Sequence, residues 1–314
     1  MTRNRISVYL ASMIAAIAIM SAPQRASAQL LELALIIDGS SSISGPNGNM
    51  SGPDWGLQIG AYQSVFQNNF YTNFIVPSQF DQIAVAAYVF SGGYTETVTV
   101  GSTDYVNNVV VSSFIDWALI DSDATASAFG AQFAGLPQPG GTTHTSGAID
   151  IAVNGGQVSC LDASICSPTA AQQPPFTTTA AGLLNNAYDG DRLVIDISTD
   201  GVPTEPNGGG TPNQADSDLA IAAADNARAA GITVNALGVG GVDTIFLDAL
   251  VGVNPSASPA GFVITASDFT QFQTALLSKI GQETAVVPLP AAIWLFGSGL
   301  LGIAGIARRG GRKL

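Results

Sequence analysis

Leu33-Ala34-Leu35-Ile36-Ile37 runs without a polar break into Asp38-Gly39-Ser40-Ser41-Ser42. An apolar run of that length, bounded by turn residues, reads as a strand buried on both faces. A carboxylate and two hydroxyls then follow at alternate positions, Asp38, Ser40 and Ser42. A tight loop at the end of a parallel strand lies where open α/β sheets place their ligands. It can converge these three oxygens on one point. Oxygen donors of this kind suit hard divalent cations such as Mg²⁺.

Two further segments would complete the same site. Gly140-Gly141-Thr142-Thr143-His144-Thr145 is a glycine turn followed by hydroxyls. Leu193-Val194-Ile195-Asp196-Ile197-Ser198-Thr199-Asp200-Gly201 is a second apolar strand that ends in a carboxylate and a glycine. Asp-x-Ser-x-Ser, a Thr after Gly-Gly, and Thr-Asp-Gly, in that order, resemble the von Willebrand factor type A domain. The resemblance covers about residues 31–282. The Val-Ile-Asp-Ile-Ser strand and the end of the domain are similar to a bacterial branch catalogued as DUF1194.

The resemblance implies a metal-ion-dependent adhesion site built from these three loops. Ser40, Ser42 and Thr143 would donate hydroxyl ligands, with Asp38 and Asp200 close by and acting through water. Thr143 matches because Thr145 stands two residues on; Thr142 directly follows the glycine pair and also fits. The implied cofactor is Mg²⁺, or else Mn²⁺ or Ca²⁺. His144 is expected to be an exposed loop residue, Asp196 a buried hydrogen-bonding group, and Glu205 and Asp54 solvated charges.

The two ends of the chain point to export. Arg3 and Arg5 precede an apolar core from Val8 to Met20, and Ala26-Ser27-Ala28 before Gln29 is a small-x-small cleavage site, so residues 1–28 read as a signal peptide cut between Ala28 and Gln29. At the other end Val287-Pro288-Leu289-Pro290 precedes an apolar run, Ala291 to Ala307, and a basic tail, Arg308-Arg309-Gly310-Gly311-Arg312-Lys313. An apolar helix of about 17 residues is at the lower limit for spanning a bilayer. The basic tail would stay cytoplasmic and the domain outside. This order resembles the PEP-CTERM sorting signal of Gram-negative bacteria in its Val-Pro-Leu-Pro-Ala variant. That implies an exosortase-type protease, an inner-membrane intermediate, and release to the cell surface, outer membrane or extracellular matrix. A retained single-span anchor is the alternative.

Residues 29–285 form one expected domain, with 286–314 as the sorting segment. All 23 Asp and Glu of the chain fall between Glu32 and Glu283, against three basic residues, Arg192, Arg228 and Lys279, a net charge of −20. Such a surface repels nucleic acid and anionic membranes. With 46% hydrophobic and only 11% charged residues, intrinsic disorder is excluded. Cys160 and Cys166, in an expected insertion at 154–178, read as a local disulfide in an exported protein. With one His and two Cys in the chain, a zinc finger fails on ligand count. A Ser-His-Asp hydrolase would have to use His144, and no Gly-x-Ser-x-Gly elbow occurs, so no enzyme is expected.

Strands alternate with helical patterns from Leu33 to Ile280. That predicts a doubly wound, mainly parallel central sheet flanked by helices, α/β in class, with a separate C-terminal hydrophobic helix at 291–307. Helices are predicted over Leu57–Tyr71, Val109–Ile120, Ala124–Ala134, Ala180–Tyr188, Asn213–Ala230, Thr244–Val251 and Ser267–Ile280. The expected function is binding of an acidic protein or polysaccharide ligand through the metal. A non-adhesive structural module of the matrix or envelope, with an occupied metal site, is the alternative.

Overall fold

The structure, a computed structural model, describes residues 29–44, 52–100, 103–159, 177–205, 207, 211–253 and 260–285. The expected signal peptide, the Cys160–Cys166 disulfide, the Val287–Pro290 motif and the 291–307 helix lie outside the described residues. Among the described residues no helix is long and apolar enough to cross a membrane.

The chain runs β1 (Leu30–Asp38), α1 (Pro53–Gln67), β2 (Gln82–Val100), β3 (Thr103–Ile120), α2 (Asp123–Ala131), α3 (Thr145–Asn154), β4 (Gly156–Ser159), β5 (Thr177–Ala180), β6 (Arg192–Thr199), α4 (Gln214–Ala229), β7 (Thr233–Val239), α5 (Thr244–Val251), β8 (Val263–Ala266) and α6 (Phe272–Thr284). Six strands make one sheet in the order β3-β2-β1-β6-β7-β8, and β4 pairs with β5 in a separate two-stranded sheet. β2, β1, β6, β7 and β8 are parallel, and β3 runs antiparallel along the edge of β2. The α/β class and the mainly parallel sheet agree with the sequence expectation.

Period-two alternation along β1 sorts its side chains between two cores. Leu31, Leu33, Leu35 and Ile37 face α1, α2 and α6, with Tyr62, Phe66, Phe129 and Phe272 in the same cluster. Ala34 and Ile36 face α3, α4 and α5. With both faces covered, β1 is buried from Leu31 to Asp38, which is why it reads as an unbroken apolar run.

Three predicted helices are corrected. Val109–Ile120 belongs to β3, paired from Val109↔Tyr94 to Ile120↔Ile83. The β-branched run Val109-Val110-Val111 favours that pleated edge, and strand pairing overrode the helical spacing. In the predicted Ala180–Tyr188 helix, Ala180 ends β5 and residues 181–188 form turns and bends. The buried Glu32 holds this segment by accepting from Asn186 Nδ2 at 2.6 Å and, beyond it, from Gly190 N at 2.5 Å. The last helix begins at Phe272, not Ser267, because Asp268 Oδ1 accepts from Thr270 N at 2.9 Å and sets a turn there.

Candidate metal centre

Asp38 is the last residue of β1, level with Phe90 on β2, while Ile37 is level with Ser198 on β6. From β1 the chain passes to β2 on one side, and β6 lies on the other. That makes the β1/β6 crevice the topological switch point, where open α/β sheets bind ligands. Asp38 and Asp200 flank it.

The Asp38 carboxylate is fully buried. Its Oδ1 accepts from Ser40 N at 2.9 Å and its Oδ2 from Thr199 Oγ1 at 2.7 Å. Ser42 Oγ donates to Asp200 Oδ1 at 2.7 Å, and Ser40 Oγ lies 2.9 Å from Ser42 Oγ. Because the Ser42 proton goes to Asp200, Ser40 is the donor between the two serines. The hydroxyls thus form a chain, each oxygen retaining lone-pair capacity.

The Gly140 loop docks on the first loop by backbone. Gly140 N donates to Gly39 O at 2.9 Å, Ser41 N to Gly141 O at 2.9 Å, and Gly141 N to Ser41 Oγ at 2.7 Å. Gly140 and Gly141 have φ of 70° and 82°, left-handed values that call for glycine at both positions. Gly39 has no room for a side chain, since a Cβ there would lie 2.6 Å from Pro139 Cδ. Thr143 is buried, and its N donates to Thr204 Oγ1 at 2.9 Å while Thr204 N donates to Thr143 O at 2.9 Å. All three sequence-predicted loops are therefore tied together. Thr142 is turned elsewhere, with its Oγ1 donating to Glu205 Oε1 at 3.3 Å.

Burial pushes the Asp38 carboxyl up to about 7, with the negative charge of Asp200 as the second cause. Burial also raises Asp200, partly offset by the Ser42 hydrogen bond, and Asp54 adds to the rise. The Asp54 charge is thus felt at the site. His144 is half-buried, and burial lowers its pKa against the pull of Glu205, Asp216 and Asp150.

No lysine or arginine among the described residues answers these two carboxylates. Lys279 is bonded to Asp196, Arg192 Nη1 donates to Glu283 O at 2.9 Å, and Arg228 pairs with Asp225 and donates to Leu250 O. Among the described residues no group of three or more His, Cys, Asp or Glu side chains could hold a metal ion. A cation here would rest on hydroxyls as well as carboxylates. This all-oxygen donor set fits a hard divalent ion.

Sequence reasoning passed over four residues of this site. Thr199 bonds Asp38, Thr204 ties Thr143, and Gln58 and Gln138 hold the Asp38 and Ser40 carbonyls. Thr199 stands inside the quoted Thr-Asp-Gly, so its signal was present. The glutamines carry none, because their contacts span 20 and 98 positions of chain. Asp196 is placed away from the site, in the core against α6.

An α/β domain with a hydroxyl-and-carboxylate cluster at its sheet switch point is the class that fold and site define. Residues 167–288 match the family described as "Protein of unknown function (DUF1194)", in keeping with the sequence resemblance. No curated protein matches. Among solved structures the chain is similar to proximal thread matrix protein 1 from the mussel byssus, at 14% identity and TM-score 0.40, over 81% of this chain and 46% of that one. It is also similar to the pilus adhesin SpaC from Lactobacillus rhamnosus GG, at 13% identity and TM-score 0.47, over 82% of this chain and 31% of that one. A third is the SpRpn10 VWA domain, at 14% identity and TM-score 0.39, over 81% of this chain and 97% of that one. The chain spans less than half the length of the first two.

Proposed function

We propose that this chain is an exported bacterial surface or extracellular-matrix protein with a von Willebrand A-type adhesion site. It binds an acidic group on a protein or polysaccharide through a divalent cation, Mg²⁺ or else Mn²⁺ or Ca²⁺. The observation that carries this reading is the pair of Asp38, buried, and Asp200, half-buried, at the switch point, with every lysine and arginine of the described chain engaged elsewhere. An unpaired buried carboxylate is costly, and a bound cation would relieve it.

In this reading Ser40, Ser42 and Thr143 offer hydroxyl oxygens to the ion. Asp38 and Asp200 act through water, which suits Asp38, whose two oxygens already accept from Ser40 N and Thr199 Oγ1. Uncharged hydroxyl ligands leave the cation under-neutralised, so it attracts a carboxylate from the partner. One bridged carboxylate gives modest affinity, and many copies on a surface raise it by multivalency. The exosortase-type processing and surface release implied by the chain's ends put the domain where such partners are.

The test uses full-length protein and matrix or envelope material from producing cells. Retention is expected with Mg²⁺, loss with a chelator, and loss with a folded Asp200→Ala variant. Retention that ignores both chelator and variant would contradict the adhesive role and favour a structural module.

A further inference from the structure

We propose that Gln58 and Gln138 are positioning residues of the cation site, a clamp of two buried amides that fixes the backbone between Asp38 and Ser40. The inference rests on the metal reading above. Gln58 Nε2, from α1, donates to Asp38 O at 2.9 Å. Gln138 Nε2, from the loop before Gly140, donates to Ser40 O at 2.8 Å. The two side chains are 1% and 4% exposed.

These bonds fill a gap that the sheet leaves. β1 ends at Asp38, so strand pairing no longer orders the peptides beyond it. Gly39 is held by backbone, its N donating to Phe90 O at 2.8 Å and its O accepting from Gly140 N at 2.9 Å. The carbonyls on either side of Gly39 are those taken by Gln58 and Gln138. Three successive carbonyls are therefore fixed, the first from α1 and the next two from one stretch of loop, residues 138 and 140, and the directions of the Asp38 and Ser40 side chains follow from them. Trp55 Nε1, one turn before Gln58 on α1, donates to Leu136 O at 3.0 Å and ties α1 to the loop that carries Gln138.

Burying an amide is unfavourable unless it is hydrogen-bonded. Position 58 faces the core beside Trp55, Ile59 and Tyr62, where an apolar side chain would pack without that penalty. What glutamine adds there is a donor for the Asp38 carbonyl. A cation site needs its ligands held within a fraction of an ångström, and the neighbours that orient them matter nearly as much as the ligands.

The test takes full-length protein carrying Gln58→Met or Gln138→Met, which keep side-chain length and remove the donor. Three quantities are measured: Mg²⁺ affinity by calorimetry, metal-free Tm, and amide hydrogen exchange of Gly39 to Ser42 without metal. Asn235→Leu, which removes a buried amide bonded to Glu283 away from the site, is the control. Each glutamine variant is expected to weaken Mg²⁺ binding about tenfold and to speed exchange at Gly39–Ser42, as loss of one buried hydrogen bond implies. The control is expected to lower Tm with Mg²⁺ affinity unchanged. If the glutamine variants lower Tm but leave affinity and exchange as in the parent protein, the clamp is overturned. If the parent protein itself binds no Mg²⁺, the metal reading fails, and unchanged exchange at Gly39–Ser42 then sinks the clamp as well. Should Gln58→Met not fold, Gln138→Met in the loop decides by the same criteria.

Discussion

Two carboxylate pairs of this domain, one fully buried and one of a buried and a half-buried member, have different surroundings. In the core between β6 and α6, Asp196 and Glu283 are fully buried, as is Lys279. Lys279 bonds Asp196 and lies 4.0 Å from Glu283 Oε1, while Asn235 Nδ2 donates to Glu283 Oε1 at 2.8 Å. Burial, and then the charge of Asp196, push the Glu283 carboxyl up to about 8. A paired Asp196 and a protonated Glu283 make that cluster neutral from the chain's own groups. At the sheet's end, Asp38 and Asp200 have hydroxyls and backbone N–H groups for company and, among the described residues, no lysine or arginine. The difference teaches that the buried lysine of this domain serves the core pair, while no described lysine or arginine answers the switch point, which is where the proposed cation would act.

Breaking the core pair should have the largest effect. Lys279→Met strands the buried Asp196 carboxylate, and removing one partner of a buried ion pair costs about 3–5 kcal/mol. Denaturant unfolding should show that loss with Mg²⁺ present or absent. A loss that Mg²⁺ repairs would mean the two clusters are not separate.

A smaller effect sharpens the contrast through pH. Glu283 keeps its proton up to about pH 8 in the folded chain and releases it near the ordinary value of 4.5 when unfolded. Across that window the folded state binds more protons, so this group's contribution to stability falls as pH rises from about 5 to 8. Glu283→Gln stays neutral in both states, so its Tm should decline less over the same range. Parallel Tm curves for parent and variant would show that Glu283 is already ionised in the fold.

Much of the site was legible in the sequence, because its loops follow directly from apolar runs that could be read. Asp38 and Asp200 each come at or just past the end of such a run, and β1 and β6 are buried strands as that predicts. Gly140 and Gly141 signalled their turn by composition. What could not be read depends on pairing across long stretches of chain. Val109–Ile120 has helical spacing of apolar residues and becomes a strand only because β2 lies beside it. Lys279 falls within the predicted Ser267–Ile280 helix with no local sign of burial, and its burial follows only once α6 packs over Asp196. Gln58 and Gln138 are of a residue type with no local signature, and their role exists only after α1 and the Gly140 loop converge on β1.

The most direct test of the central claim is a calorimetric titration of Mg²⁺ into full-length protein, beside a folded Asp38→Asn variant. Saturable binding is predicted in the parent protein, with stabilisation of about 2.7 kcal/mol at a hundredfold excess over Kd, and both should vanish in Asp38→Asn. Equal Mg²⁺ binding by parent and variant, or none by either, would contradict a cation site at the switch point.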